Sequence, residues 1–420
     1  MTTQIPKLRF LEFEGEWEKK KLGEVTNYTK GFAFKSEDYT NEGKRIIRVS
    51  DLGSDSIKNN YEKIFIDEDK IKELGKYKIL KGEIIITTVG SKPEMIESAV
   101  GRGILISNSE LGYLNQNLLK INVSNEIDNR FIFGLLKSKE YETHIKQIQR
   151  GNANQSNITV SDLFEFKIYL PTLPEQTKIA NFLTAIDTKI QQLTQKKALL
   201  EEYKKGVMQQ LFSGTSARQP IRFKDENGAD YPDWEVKKLG EVGKFVGGGT
   251  PSTQNKEFWQ GDIPWISSSD LSDDSIFKIN ITRFITQEAI QSSPVKLIPP
   301  NSILIVSRVG VGKVAINEKA LCTSQDFASL IASTSEYYSL FLAYLIKFQT
   351  GKLLGFNQGT SIKGFVKSDL ENLEVSIPCY NEQLKIANYF FALDTKIQTV
   401  AKQIGQTQAY KKGLLQQLFV

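Results

Sequence analysis

Histidine is almost missing from this chain of 420 residues; His144 is the single one. Its scarcity excludes histidine triads and the usual histidine-bound zinc sites, and His144 itself reads as a surface residue of a helix. Cysteine is nearly as rare. Cys322 and Cys379 form no metal or redox spacing and point to a reducing compartment. No uninterrupted apolar run approaches the roughly 20 residues of a membrane span, and the N-terminus shows no signal-peptide pattern. The expectation is a cytoplasmic protein without a membrane partner.

Glycine is present, 30 residues in all, yet in no pattern that cradles a phosphate. Arg308-Val-Gly-Val-Gly-Lys-Val314 lacks the Walker A spacing and the hydroxyl residue after its lysine. No dinucleotide-type G-x-G-x-x-G follows a strand, and Gly247-Gly-Gly249 reads as a flexible strand connection. Ile298-Pro-Pro-Asn301 is not the Asn/Asp-Pro-Pro-aromatic loop with which amino-methyltransferases accept an amine. Carboxylates abound without a nuclease constellation. The expectation is a chain that catalyses nothing by itself, with no cofactor or metal of its own. An excess of one charge is also lacking: Lys+Arg total 54 against Asp+Glu 49, a net +5. That balance permits nucleic-acid binding without requiring it.

What the chain does contain is itself, twice. Pro171-Thr-Leu-Pro-Glu-Gln-Thr-Lys-Ile-Ala-Asn181 returns as Pro378-Cys-Tyr-Asn-Glu-Gln-Leu-Lys-Ile-Ala-Asn388, a shift of 207 residues. Aligned without a gap to Phe212 and Phe419, 21 of 42 paired positions are identical. Both copies read as long helices. Apolar residues recur at Ile179, Phe182, Ile186, Ile190, Leu193, Leu200, Val207 and Leu211, and again from Ile386 to Leu418. Spacings of three, four or seven make the seam of a coiled coil, and each stripe needs a partner. The cheapest partner is the other copy. Because the middle of the chain ties the end of one helix to the start of the other, the pair is expected to run antiparallel, with a domain at either end about a pseudo-twofold axis.

The repeat extends beyond the helices. Trp17-Glu-Lys-Lys-Lys-Leu-Gly-Glu-Val25 returns as Trp234-Glu-Val-Lys-Lys-Leu-Gly-Glu-Val242, and Arg9-Phe10 as Arg222-Phe223. Short β-rich runs follow, Arg45–Val49, Lys63–Ile66, Glu83–Val89 and Gly103–Ile106, then an amphipathic helix over about 129–149 and a last strand, Phe164–Leu170. The second half keeps this order with different residues. The expected fold class is α+β: two pseudo-symmetric, β-rich α/β domains separated by a long antiparallel two-helix coiled coil. The divisions fall at residues 1–170, 171–214, 215–377 and 378–420.

The frame is shared while the polar loops differ, as if one task were performed on two targets. Amides of Asn and Gln can pair bidentately with adenine, and Arg or Lys with guanine. Candidate DNA contacts in the first domain are Lys30, Lys35, Arg48, Lys92, Arg102, Arg150, Asn152, Asn154, Gln155 and Asn157. In the second they are Thr250, Ser252, Lys256, Arg308, Lys313, Lys352, Asn357, Gln358, Thr360, Ser361 and Lys363. Polar loops are also polar simply because they are wet; only the sets as groups point to contact. Duplicated polar positions off the seam form the candidate docking surface: Glu175, Gln176, Lys178, Asn181, Lys189, Lys204, Lys205 and Gln209, with Glu382, Gln383, Lys385, Asn388, Lys396, Lys411, Lys412 and Gln416. Two identical surfaces can hold two copies of one partner.

The layout resembles the specificity subunit of Type I restriction–modification enzymes. The resemblance rests on Pro-x-Leu-Pro-Glu-Gln-x-Lys-Ile-Ala-x-Phe-Leu at 171–183 and its looser copy at 378–390. Gly-Thr-Pro-Ser at 249–252, Trp-x-Gly-Asp-Ile-Pro-Trp-Ile at 259–266 and the Lys-Lys-Gly-x-x-Gln-Gln-Leu-Phe endings at 204–212 and 411–419 add to it. The first domain departs from the pattern, with Lys30-Gly-Phe-Ala-Phe34 in place of Gly-Thr-Pro-Ser. The resemblance implies two target-recognition domains on double-stranded DNA, each reading half of a bipartite site. The helix pair would set the gap and dock two modification subunits. Those subunits would carry S-adenosylmethionine and methylate adenine, and restriction subunits would add ATP- and Mg-dependent translocation and cleavage. The competing readings are a stand-alone DNA-modifying or DNA-cleaving enzyme and a tandem-domain scaffold that binds proteins.

Overall fold

A computed structural model describes residues 5–53, 56–58, 62–93, 99–107, 112–151, 155–213, 221–356, 364 and 366–419, with side chains of 351–356 excepted. The repeated stretches form two long helices, Leu173–Phe212 and Tyr380–Leu418. No helix among the described residues is long and apolar enough to cross a membrane. The chain divides into two compact units, residues 1–193 with 403–420, and residues 194–402. Each unit thus takes the first half of one long helix and the second half of the other.

The first unit opens with β1 (Glu18–Lys21) and β2 (Thr26–Lys30). The strands β3 (Tyr39–Thr40), β4 (Lys44–Ile47), β5 (Ile64–Ile66), β6 (Ile84–Thr87), β7 (Val89–Gly90), β8 (Gly103–Leu105), β9 (Tyr113–Leu114) and β10 (Leu118–Val123) follow. After helices α1 (Asn129–Leu135) and α2 (Lys139–Ile148) come β11 (Arg150–Gly151), β12 (Ser156–Asn157) and β13 (Lys167–Leu170). An inner sheet in the order β2-β10-β6-β8 carries an Ile-rich central strand that is buried on both faces. An outer sheet runs β3-β5-β4-β9, a small one β11-β12-β7, and β1 pairs with β13.

The second unit repeats this plan. The pair β14 (Glu235–Lys238) and β23 (Glu374–Ile377) stands for β1 and β13: Glu235 opposes Ile377 as Glu18 opposes Leu170. Its inner sheet runs β15 (Gly243–Gly247), β22 (Phe327–Ala332), β19 (Ile303–Val306), β20 (Val314–Ile316). Its outer sheet runs β17 (Arg283–Ile285), β16 (Ile263–Ile266), β21 (Leu321–Thr323), β18 (Leu297–Ile298). A single helix, α3 (Ser339–Phe356), replaces α1 and α2. The one helix expected over 129–149 is broken at 136–138, where the Ser138 hydroxyl accepts from the Tyr141 amide at 3.2 Å and caps a new start. The strand expected from Phe164 begins only at Lys167, after a short helical turn, Val160–Phe164.

Each core is closed by both long helices. In the first unit Ile179, Leu183 and Ile186 pack with Leu414, Leu418 and Phe419 around Trp17 and Phe131. In the second, Ile386 and Phe390 pack with Leu211 and Phe212 around Trp234 and Phe341. The Phe131 ring lies 5.4 Å from that of Phe419, and Phe341 lies 6.0 Å from Phe212. The phenylalanine at the end of the first long helix and the one just past the second are therefore core residues. The Leu8 amide donates to the Gln417 carbonyl at 3.0 Å, so the segment before β1 meets the last turn of the second long helix in the first unit.

Candidate nucleic-acid interface and helix surfaces

Four of the duplicated polar residues expected on a docking surface are instead internal. Glu175 and Glu382 are 1% and 0% exposed. Glu175 accepts from Arg9 Nε and Nη2, both at 2.8 Å, and from the Trp17 indole at 3.3 Å. Glu382 takes the same load from Arg222 Nη2 at 2.8 Å and the Trp234 indole at 3.0 Å. Hydrogen bonding to these carboxylates raises Arg9 and Arg222 above the usual guanidinium range. The neighbouring amides are structural too. Gln176 accepts from the Asp128 amide and donates to the Pro171 carbonyl, while Gln383 accepts from Tyr338 and donates to Glu336 and Pro378. These residues recur because the fold recurs. A buried charge must be paired, and this pairing fixes how each long helix leaves its domain.

Lys204 and Lys411 are half-buried and paired. Lys204 Nζ lies 2.6 Å from Asp394, and Lys411 Nζ lies 2.5 Å from Asp187. The repeat relates Asp187 to Asp394 and Lys204 to Lys411, so each carboxylate is answered by the lysine of the other copy. That reciprocity is what antiparallel pairing of two copies of one sequence demands. In the second unit Asp394 also accepts from the buried Tyr344 hydroxyl at 2.7 Å. Burial, then Asp394, push that phenol far above its ordinary range. In the first unit the position three residues beyond the core phenylalanine is Gly134, where an added Cβ would meet Leu183 and Phe419 at 3.0 Å.

The other docking candidates lie at or near the surface. Lys178 pairs with Glu12 and covers the Phe10 ring, Asn181 accepts from Arg130, and half-buried Lys385 donates to the Lys224 carbonyl. Lys189, Lys205, Gln209, Asn388, Lys396, Lys412 and Gln416 are exposed. Lys205 and Gln209 also line a cavity of about 600 Å³ in the second unit, beside Met208, Ile276 and Tyr344.

Tertiary structure sorts the DNA candidates just as sharply. Arg48 is held by Asp51 and the Glu62 carbonyl, Lys313 by the Leu271 carbonyl and Asp273, Arg150 by Asp162 at 2.7 Å, and Lys35 lies 3.4 Å from Glu37. Arg102 is half-buried and reaches the Gly53 carbonyl. Lys30, Lys92, Lys256 and Arg308 are exposed, with no ion pair among the described residues. Gln155 and Asn157 are exposed on or beside β12, which pairs with β7, and Lys92 follows that strand by two residues. In the second unit Gly364 packs against the Ser307 carbonyl and Arg308, the corresponding place. Thr250 donates to Gln325, and Ser252 is exposed. Asn152, Asn154, Asn357, Gln358, Thr360, Ser361 and Lys363 lie outside the described residues, as does the Lys352 side chain.

Other expectations change in detail. The glycine run is a tight-packing device and not a flexible connection, since a Cβ on Gly248 would fall 2.1 Å from the Ser324 carbonyl. His144 is half-buried against the Phe166 ring and bonds the Asp162 carbonyl at 3.0 Å. Cys322 is buried, which pushes its thiol up to about 11 and leaves it inert. Arg283, missed in the sequence, lies over the Trp265 ring and bonds Asp270, the counterpart of Asp51. Ser50-Asp51-Leu52 and Ser269-Asp270-Leu271 stand at matching places in the two halves, whereas Arg283 comes from the adjacent strand.

Residues 14–202 and 231–407 match the family described as Type I restriction modification DNA specificity domain. The chain belongs to that family. Among specificity subunits similar to it, that of type I restriction enzyme MjaX from Methanocaldococcus jannaschii is 25% identical over 409 residues, 96% of this chain and 93% of the relative. The EcoR124I/EcoR124II specificity subunit of Escherichia coli is 32% identical over 175 residues, 40% and 43% of the two chains. The fold is that of the Type I restriction-modification S subunit from M. genitalium, with a TM-score of 0.59 over 99% of both chains at 18% identity. This is a specificity subunit: the DNA-recognising, non-catalytic member of a restriction–modification system.

Proposed function

We propose that the two units of this specificity subunit each read one half of a bipartite double-stranded DNA site. The long helices set the gap between the halves and dock two adenine-methyltransferase subunits. The observation that carries this reading is a duplicated frame with unlike exposed surfaces: β14 and β23 keep the register of β1 and β13, while the exposed Lys30 at the end of β2 gives way to Gly247 at the end of β15. Cofactors belong on this reading to the partners, S-adenosylmethionine on the modification subunits and ATP with Mg on the restriction subunits. The setting is the cytoplasm. Replacing residues 215–377 with the matching domain of another family member should change one half of the methylated sequence and spare the other. A change in both halves refutes two independent readers.

Docking has its own test. Lys205→Glu with Lys412→Glu reverses charge at two repeat-related exposed positions and should weaken capture of modification subunits while the melting temperature holds, since exposed substitutions cost little. Unchanged assembly of the folded variant would remove these lysines from the docking surface.

A further inference from the structure

The outer sheet of the first unit holds a group of cations that none of the assignments above uses. Strand β4 places Arg45 directly opposite Phe65 on β5, so the two share a face, and Lys63, two residues before Phe65, shares it as well. Lys78 bridges Tyr113 across the other side of the sheet. These residues and Lys44 surround an open cavity of about 420 Å³, and no carboxylate lines it among the described residues. Its rim is glycine where backbones close up. A Cβ on Gly112 (φ +134°) would fall 2.2 Å from the Arg45 carbonyl, and one on Gly43 (φ +117°) would fall 2.4 Å from that of Ile66.

Two of these cations, Arg45 and Lys63, are only partly answered among the described residues. Arg45 donates through Nη2 to the Lys58 carbonyl at 3.0 Å and lies 3.6 Å from Asp51, but its Nε is buried with no acceptor. Lys63 has no partner among the described residues, and Lys44 pairs with Glu68, which does not line the cavity. Four like charges around one concavity repel each other and focus a positive potential into it.

The second unit shows that the frame does not require them. There Ile263 opposes Ile285 as Lys44 opposes Ile66, and Pro264 opposes Phe284 as Arg45 opposes Phe65. Thr282 takes the place of Lys63, and Leu297, opposite Cys322, takes that of Lys78. The same sheet positions are neutral, with Phe284 and Leu297 exposed.

We infer that this cavity is a phosphate-binding pocket, and that it holds a backbone phosphate of the DNA bound by the first unit. The inference rests on the DNA reading of that unit. Four cations and no carboxylate line the cavity among the described residues, and the Phe65 and Tyr113 rings suit the sugar that flanks a phosphodiester.

The test uses the full chain carrying Lys63→Gln and Lys78→Gln, with Lys63→Arg as the charge-preserving control. Binding to a duplex with the methylated site and to an unrelated duplex is measured between about 50 and 200 mM salt. The slope of log K against log salt should fall by about one, and affinity should drop several-fold on both duplexes alike, since a phosphate contact carries no sequence. Lys63→Arg should keep the slope. In a second arm, inorganic phosphate at matched ionic strength is added to melts of both chains. An unchanged slope with phosphate stabilising only the unsubstituted chain overturns the DNA assignment and gives the pocket to a soluble phosphate compound. An unchanged slope with no such stabilisation overturns the pocket itself. If the unsubstituted chain bound no duplex in a salt-dependent way, the DNA reading would fall, and the phosphate melts would still decide the pocket.

Discussion

Glu382→Ala should unfold the second unit well before the first. Removing this carboxylate leaves the Arg222 guanidinium and the Trp234 indole without their buried acceptor. Breaking one partner of a buried pair costs about 3–5 kcal/mol. For a unit of this size each kcal/mol moves the melting temperature by roughly 2–4 °C, so a drop of about 10 °C is expected. Trp234 is itself the reporter, since its indole lies against the lost group. Glu382→Gln keeps an acceptor and should fall between the two. Glu318→Ala, at an exposed position of the same unit, should leave the melt unchanged. Glu175→Ala should do to Trp17 and the first unit what Glu382→Ala does to the second. Equal melts for Glu382→Ala and Glu318→Ala would show that the Arg–Glu–Trp cluster does not hold the helix to its domain.

The second large effect is on the recognised sequence. Asp187 faces Lys411 and Lys204 faces Asp394, and both pairs put Gln195 level with Gln403. Seven residues inserted at each of these positions keep the period of the apolar seam. Each helix lengthens by about 10 Å, at 1.5 Å per residue. Duplex DNA rises about 3.4 Å per base pair, so the gap between half-sites should grow by about three. The half-sites should stay the same, because no loop is touched. Three base pairs also turn one half-site by roughly 100°, given about 10.5 pairs per turn, so affinity should fall even at the best new spacing. Methylated adenines mapped in cells carrying the double insertion with its modification subunit decide the matter. An unchanged gap would show that the helices do not set it.

These two expectations draw on different sources. The antiparallel pairing of the helices was legible in the sequence, because a repeat with one narrow apolar stripe per copy leaves few other ways to bury both stripes. The order of several β-runs along the chain was legible for the same reason, since runs such as Ile84–Thr87 and Ile303–Val306 align without help, whereas Leu118–Val123 and the order of strands within each sheet were not read. Family membership followed from those repeated marks.

What the sequence could not separate is the duplicated from the exposed. Glu175 and Lys205 both have repeat partners, yet one is sealed under Trp17 and the other faces solvent. Identity between copies records that a residue matters, and a buried charge answered by arginine matters to folding as much as an exposed one does to a partner. The cations of the two domains posed the same difficulty. Arg48 and Lys313 looked free in the sequence and are spent on Asp51 and Asp273, whereas Lys44, Arg45, Lys63 and Lys78, scattered over 35 residues, converge on one cavity. Sequence alone determined the doubled architecture, because periodicity is local and repeats are self-checking. Which charges face inward, and which gather on one surface, was decided by strand register, since pairing across a sheet unites residues that the chain keeps far apart.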